Sequence, residues 1–257
     1  MTTRSREKPI SHHLEVILEE GAYEHGYRIQ MGLAAGWLFR LSATAPGEIA
    51  LAANSVDGPF FLSTAHKGIA KDVAFERTEP CAKGHEAAFI FEDRDSLFAA
   101  IGEVYRKSRS IPTQPLERFK NETSTLGDTE TDRQTKVRVG QNIFRESLSV
   151  YWNGRCPMTG ISDPELLIAS HIISWSKCES DAERLNVYNG ILLSSLWDAA
   201  FDKGLISFDD AGVVLISPGV SRNAREALAT GNAPPLPVTE EHKPRLAWHR
   251  KHFGFEA

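Results

Sequence analysis

The sequence predicts an α+β protein, in which a mostly-β unit with a helix is joined by a linker to a unit of two short strands and several helices. Three observations favour this fold class. Short apolar runs split by glycine and proline fill residues 1–109, a polar stretch follows over 110–133, and helical periodicity begins at 134. We therefore expect a first domain at 1–109, a linker at 110–133 and a second domain at 134–257.

The first unit is expected to form a small sheet or open barrel closed by one helix. The helix is predicted to begin near Asp95 or Ser96, because Leu97, Ile101 and Val104 then recur at helical spacing. Five short apolar runs predict strands at residues 27–30, 36–41, 48–51, 59–62 and 87–91.

The middle of the chain contains a polar stretch and then a predicted helix. Residues 110–133 are rich in proline, serine, threonine and charge, which is typical of an exposed, mobile connector. Residues 134–151 then place Val139, Ile143, Phe144 and Leu148 on one side of a predicted amphipathic helix.

The bulk composition excludes several classes of protein. The chain has 257 residues, of which 41% are hydrophobic and 25% charged, and no apolar run approaches the roughly 20 residues that cross a bilayer. Its charged beginning lacks the apolar centre of a secretory signal, and its three scattered cysteines fit a reducing compartment rather than a zinc site. We expect a cytoplasmic protein with no membrane partner and no small-molecule cofactor.

The net charge of −5 argues against a protein that coats nucleic acid without specificity. The region from 133 to 155 is nevertheless basic, with five cations against the single acid Glu146. A solvated helix face would explain this charge equally well. The candidate DNA-binding residues in this region are Arg133, Lys136, Arg138, Arg145 and Arg155.

Two short apolar arms flank a polar loop. The first arm runs through residues 166–169 into His171, whose side chain titrates near neutral pH and can take a proton from water. The loop covers 174–187 and returns at Asn189, whose amide can close the loop and hold the facing histidine. Taken singly, His171 is better explained as a structural histidine and Asn189 as part of an ordinary Asn-Gly turn.

A short helix follows the second arm. Ser194 or Ser195 is its predicted N-cap and Gly204 its end. Asp198 and Asp202 are four residues apart and project from one side of the helix. A divalent cation such as Mg²⁺ would relieve their repulsion, although a solvated acidic face remains open as an explanation.

These pieces together resemble the HNH endonuclease family, in a branch found in restriction endonucleases that reads roughly AxHI, NGLLL and FD(R/K)G. Here they stand as ASHI at 169–172, NGILL at 189–193 and LWDAAFDKG at 196–204. The resemblance extends upstream over 138–160 and downstream over 245–253, and so covers about residues 134–257.

The resemblance implies a ββα-metal fold, two antiparallel strands and a helix around one divalent metal. It implies that His171 is the general base, that Asn189 holds the loop and orients His171, and that Asp198 is a metal ligand where the family usually has histidine. Ser170 stands where many members have an Asp or His ligand, so Asp202, water or substrate phosphate would complete the metal site. These hard oxygen ligands favour Mg²⁺, with Mn²⁺ as the alternative.

The implied reaction is hydrolysis of DNA phosphodiester bonds, which leaves 5′-phosphate and 3′-hydroxyl ends. Because one such site cuts one strand, cleavage of double-stranded DNA predicts a homodimer. The family branch suggests a restriction or phage-defence enzyme. The first unit would then select the target, either by its site or by a modified base. Candidate base-recognition residues are Trp37, Phe39 and Tyr27, although such aromatic residues are more often core.

Two other functions remain open at this stage. One is a DNA-binding protein or modified-base reader with a degenerate, inactive HNH fold, which Ser170 and Asp198 would explain. The other is a nuclease that acts on RNA or on single strands.

Overall fold

The structure, a computed structural model, describes residues 10–111 and 113–255. Its contacts divide the chain into two compact units that separate between Arg109 and Ser110. Both units mix helices and strands, so the predicted α+β class is confirmed.

The first unit contains an antiparallel sheet of six strands in the order β1-β2-β3-β4-β6-β5. All five predicted strand runs and the predicted helix are confirmed. The strands are β1 (Ile29–Ala34), β2 (Trp37–Leu41), β3 (Ile49–Ala53), β4 (Phe60–Thr64), β5 (Arg77–Thr78) and β6 (Ala87–Phe91), and the helices are α1 (His12–Glu24), α2 (Lys67–Asp72) and α3 (Arg94–Ser108).

Helix α1 is a part of the first unit that the sequence analysis missed. Ser11 caps it by accepting a hydrogen bond from the backbone N–H of Leu14. Leu14, Leu18 and Ala22 recur at a spacing of four, so one side of the helix is buried. The first unit is therefore less purely β than its strand runs suggest.

The aromatic residues proposed for base recognition lie in different environments. Tyr27 is 1% exposed and Trp37 is 3% exposed, and Trp37 belongs to a buried cluster with Phe61. Neither ring has a free face on which a base could stack, so the structure corrects this expectation for both residues. Phe39 is half-buried and packs edge-on against His85, with ring centroids 5.7 Å apart.

The second unit consists of six helices and two small antiparallel sheets in the described part of the chain. One sheet is β7-β8 and the other is β9-β10. The helices are α4 (Thr113–Thr123), α5 (Glu130–Tyr151), α6 (Asp181–Arg184), α7 (Ser195–Asp202), α8 (Arg222–Ala227) and α9 (Lys243–Phe253), and the strands are β7 (Leu167–His171), β8 (Gly190–Ser194), β9 (Ile206–Phe208) and β10 (Val214–Ile216).

The predicted linker is largely helical, which corrects the expectation of a mobile connector over 110–133. Helix α4 packs against α5, and Phe119 is buried in the core of the second unit. Helix α5 begins four residues before its predicted start, because Thr129 and Asp132 form a capping box. Polar composition is typical of a linker, but in α4 Pro115 and Phe119 are buried and Leu116 packs against the same core.

The β7-β8 hairpin and α7 pack together over the core of the second unit. Residues 190–194 of β8 are buried throughout, and α7 buries Trp197, Ala200 and Phe201. Antiparallel pairing places His171 opposite Gly190 and Ser170 opposite Ile191. The ββα arrangement expected from the motifs is therefore present in the structure.

His249 of helix α9 packs against the rest of the second unit. Its imidazole stacks on the Phe201 ring with centroids 3.9 Å apart, and its two nitrogens lie 3.0 Å from Ser207 Oγ and 3.2 Å from the Phe201 carbonyl oxygen. Burial lowers the pKa of His249 to about 4 and outweighs the Phe201 carbonyl, which raises it.

Among the described residues, the structure has no helix that combines the length and the apolar character needed to cross a membrane.

We predict that acid destabilises the second unit through His249. Between pH 6.5 and about 4 the unfolded chain binds a proton at this position that the folded chain excludes. The contribution of neutral His249 to the free energy of unfolding is therefore fully present above pH 6.5. The free energy of unfolding falls by about 3 kcal/mol as the pH drops through this window. Urea unfolding should show this loss by tryptophan fluorescence, which reports mainly on the second unit because Trp152, Trp175, Trp197 and Trp248 lie there.

The matched variant is His249→Gln, which cannot titrate in this range. It should be less stable than the wild type at pH 7, because the ring stack is lost, but its stability should depend less on pH between 6.5 and 4. Equal pH dependence in the two proteins would contradict the assignment to His249.

Candidate functional site

Four of the residues singled out from the sequence come together on the ββα element. Ser170 and His171 end strand β7, while Asp198 and Asp202 lie one turn apart on α7, which packs against that strand. The Asp202 carboxylate is close enough to influence the pKa of both His171 and Asp198. Segments separated by about 30 residues in sequence therefore form one polar cluster.

The His171 ring is held by aromatic contacts on two sides. Phe144 of α5 stacks on it with ring centroids 3.8 Å apart and an interplanar angle of 18°. Trp175 meets it edge-on at 5.6 Å. The ring therefore has little freedom to rotate, which is the arrangement that a proton-transfer group requires.

One nitrogen of His171 is assigned by its backbone partner. The Nε2 atom lies 2.9 Å from the carbonyl oxygen of Arg184. A carbonyl oxygen only accepts hydrogen bonds, so Nε2 carries the hydrogen and donates it. In the neutral ring this leaves Nδ1 unprotonated and able to accept a proton.

Burial sets the protonation state of His171. It lowers the pKa of the imidazole below its usual value, and this effect outweighs the Arg184 carbonyl and the Asp202 carboxylate, which both raise it. The neutral, proton-accepting form of His171 is therefore favoured at neutral pH.

Asp198 is half-buried in the first turn of α7. Burial raises the pKa of its carboxyl, the Ser170 hydroxyl opposes that shift, and the Asp202 carboxylate adds to it. The Ser170 Oγ is itself buried and lacks a hydrogen bond of good geometry, although it lies near enough to Asp198 to affect its pKa. A buried hydroxyl without a firm partner beside a carboxylate is a polar position that an additional ligand would satisfy.

The cluster offers hard oxygen donors, the two Asp carboxylates and the Ser170 hydroxyl, which suit Mg²⁺ or Mn²⁺. Within residues 10–111 and 113–255, no three His, Cys, Asp or Glu side chains converge closely enough to hold a metal by themselves. Mg²⁺ is commonly bound through one or two carboxylates and keeps several waters. The donor set therefore fits a hydrated ion and does not form a closed protein cage.

Asn189 closes the loop between β7 and β8. Its side-chain Oδ1 accepts a hydrogen bond from Ile173 N–H at 2.8 Å, and its Nδ2 donates to the Ile173 carbonyl at 3.1 Å. The same Nδ2 also donates to the Cys178 sulfur and to the Glu183 carbonyl. Asn189 thus holds the backbone two residues beyond His171 and makes no direct bond to the imidazole.

Arg184 supports the same loop from the other side and was missed by the sequence analysis. Its guanidinium donates to the backbone carbonyls of Trp175 and Cys178 and to the Asp181 carboxylate. Its own carbonyl receives the His171 hydrogen bond. A single arginine in a polar loop has no sequence signal that would distinguish it from a solvated one.

Glycine at position 190 is not explained by the predicted Asn-Gly turn. Its backbone is extended, which any residue can adopt, and it begins strand β8. A β-carbon at this position would lie 2.5 Å from the Phe144 ring and about 3.0 Å from Leu148. Glycine is therefore required by the space that the Phe144 ring occupies against His171, and not by the backbone angle.

The five candidate DNA-binding residues are placed differently from one another. Arg145 donates to the Pro164 carbonyl and Arg155 to the Gly160 carbonyl, so both are tied to nearby backbone. Arg138 is exposed on α5. Arg133 and Lys136 line one groove together, and Lys136 also donates to the Gly127 carbonyl at 2.9 Å.

We predict that Gly190→Ala disrupts the site through Phe144. The added methyl group must displace the Phe144 ring and with it the stack on His171, which should cost about 1 to 3 kcal/mol of folding free energy. The imidazole should also become more mobile, so its NMR signals should broaden or shift.

The control is Gly219→Ala, because a β-carbon at Gly219 meets no atom within 4 Å. This variant should unfold at the same urea concentration as the wild type and leave the His171 signals unchanged. A Gly190→Ala protein with wild-type stability and unchanged His171 signals would show that the stack does not depend on this glycine.

Comparison with known families is consistent with this geometry. Residues 156–209 match the family model HNH_2, which is described as HNH endonuclease. The segment contains Ser170, His171, Asn189, Asp198 and Asp202, so the resemblance predicted from the motifs is confirmed over this range, while the rest of the chain is not covered by the match. A search of curated proteins gives no match to the chain.

HNH nucleases generally depend on a divalent metal, and the family implies a DNA substrate. Residues 156–209 are therefore an HNH endonuclease-family region, which indicates a nuclease.

Proposed function

We propose that the protein is a metal-dependent DNA endonuclease whose reaction centre is His171 together with Asp198, Asp202 and Ser170. The observation that carries this proposal is the packing of α7, with Asp198 and Asp202, against the strand that ends at His171, inside the segment that matches the HNH family. The Asp202 carboxylate lies near enough to raise the pKa of both His171 and Asp198. A base and two carboxylates on one ββα element suit hydrolysis of a phosphodiester.

His171 acts as the general base in this proposal. Its Nδ1 takes a proton from a water molecule as the water oxygen attacks phosphorus. A new P–O bond forms, the bond from phosphorus to the 3′ oxygen breaks, and the departing 3′ oxygen takes a proton from solvent water. The products are a 5′-phosphate and a 3′-hydroxyl, and His171 later returns its proton to solvent. Because Nε2–H is bonded to the Arg184 carbonyl, the imidazole presents the correct nitrogen without having to rotate.

Phe144, Asn189 and Arg184 position His171. Phe144 fixes the plane of the imidazole ring, while Asn189 and Arg184 hold the loop that supplies its backbone partner. None of these three needs to contact the DNA for this purpose. Their loss should therefore reduce the rate of the chemical step more than it reduces DNA affinity.

Asp198 and Asp202 would hold the metal, and the Ser170 hydroxyl oxygen would be a weak additional ligand. When bound, a divalent cation supplies Lewis-acid stabilisation of the negative charge on the phosphate and on the departing oxygen. The two carboxylates keep the cluster acidic and so favour a hard cation such as Mg²⁺ or Mn²⁺.

The biological setting belongs to the proposal as well. Restriction or phage defence would suit a nuclease region that is joined to a separate compact unit, with the first unit selecting a site or a modified base. Cleavage of both strands of a duplex by a single-site enzyme calls for two copies of the chain, so we propose a homodimer.

A second candidate function is a DNA-binding protein with an inactive HNH fold. The observation that favours it is the incomplete ligand set, since no three His, Cys, Asp or Glu side chains in the described part of the chain converge on a metal position. Such a protein would bind duplex DNA but would not nick it with any divalent ion.

We predict that His171→Ala abolishes nicking. Supercoiled plasmid incubated with the wild-type protein and Mg²⁺ or Mn²⁺ should convert to the open-circular form. General-base catalysis usually contributes about 10²- to 10⁴-fold, so the variant should be slower by at least about 100-fold. His252→Ala, which removes an exposed histidine of α9, is the control and should nick at the wild-type rate.

Equal nicking by wild type and His171→Ala would remove His171 from the mechanism. DNA binding without nicking by any of these proteins, with either metal, would instead support the inactive reader.

We predict that Asp198 determines the metal requirement. Asp198→Ala should lose activity, whereas Asp198→His, which restores the residue usual for the family, should remain active and shift its preference from Mg²⁺ toward softer ions such as Co²⁺ or Ni²⁺. Nicking rates measured across this series of metals give the preference. Glu165→Gln is the control because Glu165 is exposed at the start of the same hairpin. An unchanged metal profile for Asp198→His would argue against coordination by residue 198.

A further inference from the structure

A groove of about 490 Å³ lies beside the proposed reaction centre and outside the chemistry described above. Helices α4 and α5 form one side, and the loop between β7 and β8 forms the other. Its principal lining residues are Phe119, Arg133, Lys136, Trp175, Asp181 and Arg184. The residues contributed by α4 and α5 lie outside the segment that matches the HNH family.

Two of the residues that line the groove also contact His171. The Trp175 indole packs edge-on against the imidazole, and the Arg184 carbonyl accepts the Nε2 hydrogen bond. A molecule in the groove would therefore touch residues that directly contact the proposed base.

One side of α5 extends from the groove to the His171 ring. Arg133, Val137, Gly140 and Phe144 follow one another at intervals of three or four, so they form a row along the helix. Phe144 stacks on His171 at one end, and Gly140 leaves room for Trp175, whose ring would lie 2.7 Å from an added β-carbon. Arg133 lies about 16 Å from Phe144 along the helix axis, since each residue rises about 1.5 Å.

The groove carries a positive charge that is only weakly compensated. Arg184 is neutralised by Asp181 at 2.9 Å, so this pair adds little net charge. Arg133 is exposed and makes no ion pair within the described residues. Lys136 lies 3.8 Å from Asp128, which is almost fully exposed, and such surface pairs contribute little. Its ammonium also donates to the Gly127 carbonyl at 2.9 Å, a bond that uses one of its three N–H donors.

The groove also has apolar surface beside its cations. Trp175 is partly exposed, Val137 is 39% exposed, and Phe119 lies at the base next to Gly140. Cations next to an aromatic ring are the combination that holds a nucleic-acid strand, because phosphates pair with the cations while sugars and bases pack on the ring.

We infer that this groove binds the phosphodiester backbone of the DNA strand that is cut, within about five nucleotides of the scissile phosphate. The estimate follows from the distance of about 16 Å along α5 and the rise of about 3.4 Å per nucleotide. Arg133 and Lys136 contact phosphates, and Trp175 packs against the intervening nucleotide. The inference rests on the proposed nuclease function and names residues that position its substrate.

The test measures DNA binding apart from cleavage. Fluorescence anisotropy with a labelled 20-base-pair duplex in EDTA gives the Kd for wild type, Arg133→Gln, Lys136→Gln and the double variant at several salt concentrations. Loss of each phosphate contact reduces the magnitude of the slope of log K against log salt by about 0.9, so at 0.1 M salt each single variant should bind about 8-fold more weakly. The double variant should bind roughly 60-fold more weakly, with its slope reduced in magnitude by about 1.8.

Lys251→Gln is the matched control for the loss of one positive charge. Lys251 is an exposed cation of the same unit, on α9, and it is not among the residues that line the groove. Its Kd and salt slope should remain within about 2-fold and 0.3 of the wild type. If Lys251→Gln weakens binding as much as Arg133→Gln does, the effect is one of general charge and the groove inference is overturned.

Nicking of plasmid by the same proteins separates this inference from the proposed function. If the Arg133 and Lys136 variants bind and nick like the wild type, the groove does not hold DNA although the nuclease assignment stands. If binding depends on the groove but the wild type nicks nothing with any divalent ion, the groove stands and the proposed function fails.

Discussion

The proposed reaction centre depends on one packing constraint, the Phe144 ring between Gly190 and His171. Strand pairing places Gly190 directly opposite His171, and the absence of a side chain there leaves space for the ring. Phe144 fills that space and stacks on the imidazole at 3.8 Å. Helix α5 thereby fixes the orientation of a residue on a different element, and the close packing of protein interiors makes that orientation sensitive to a single methyl group.

The rest of the support for His171 is built from hydrogen bonds rather than packing. Asn189 binds both backbone groups of Ile173, and Arg184 binds the carbonyls of Trp175 and Cys178. Buried polar groups are costly unless they are paired, so these bonds make the loop adopt one conformation. The loop in turn delivers the Arg184 carbonyl to Nε2, which selects the tautomer that leaves Nδ1 free to accept a proton.

Local patterns in the sequence are sufficient to predict five of the six strands of the first unit, all except β5, as well as the hairpin and helix α7. They did not predict contacts between distant segments, such as Phe144 on His171, since periodicity indicated only that Phe144 faces a core. The same limit explains two errors. Gly190 was interpreted by its turn propensity although packing requires it, and residues 110–133 were interpreted by polarity although Phe119 anchors a helix there.

Charge would connect the proposed reaction centre to the proposed binding of DNA. The chain carries a net charge of −5, which includes the two neighbouring carboxylates of that centre, so DNA phosphates would be repelled unless local cations oppose this field. Lys136 is bonded to a backbone carbonyl, as Arg145 and Arg155 are, but it shares its groove with the exposed Arg133, so this groove is the proposed source of attraction. A divalent ion at Asp198 and Asp202 would remove the remaining repulsion where the scissile phosphate must approach. Binding along the strand and chemistry at one phosphate would thus rely on two separate sources of positive charge, the side chains of α5 and the metal.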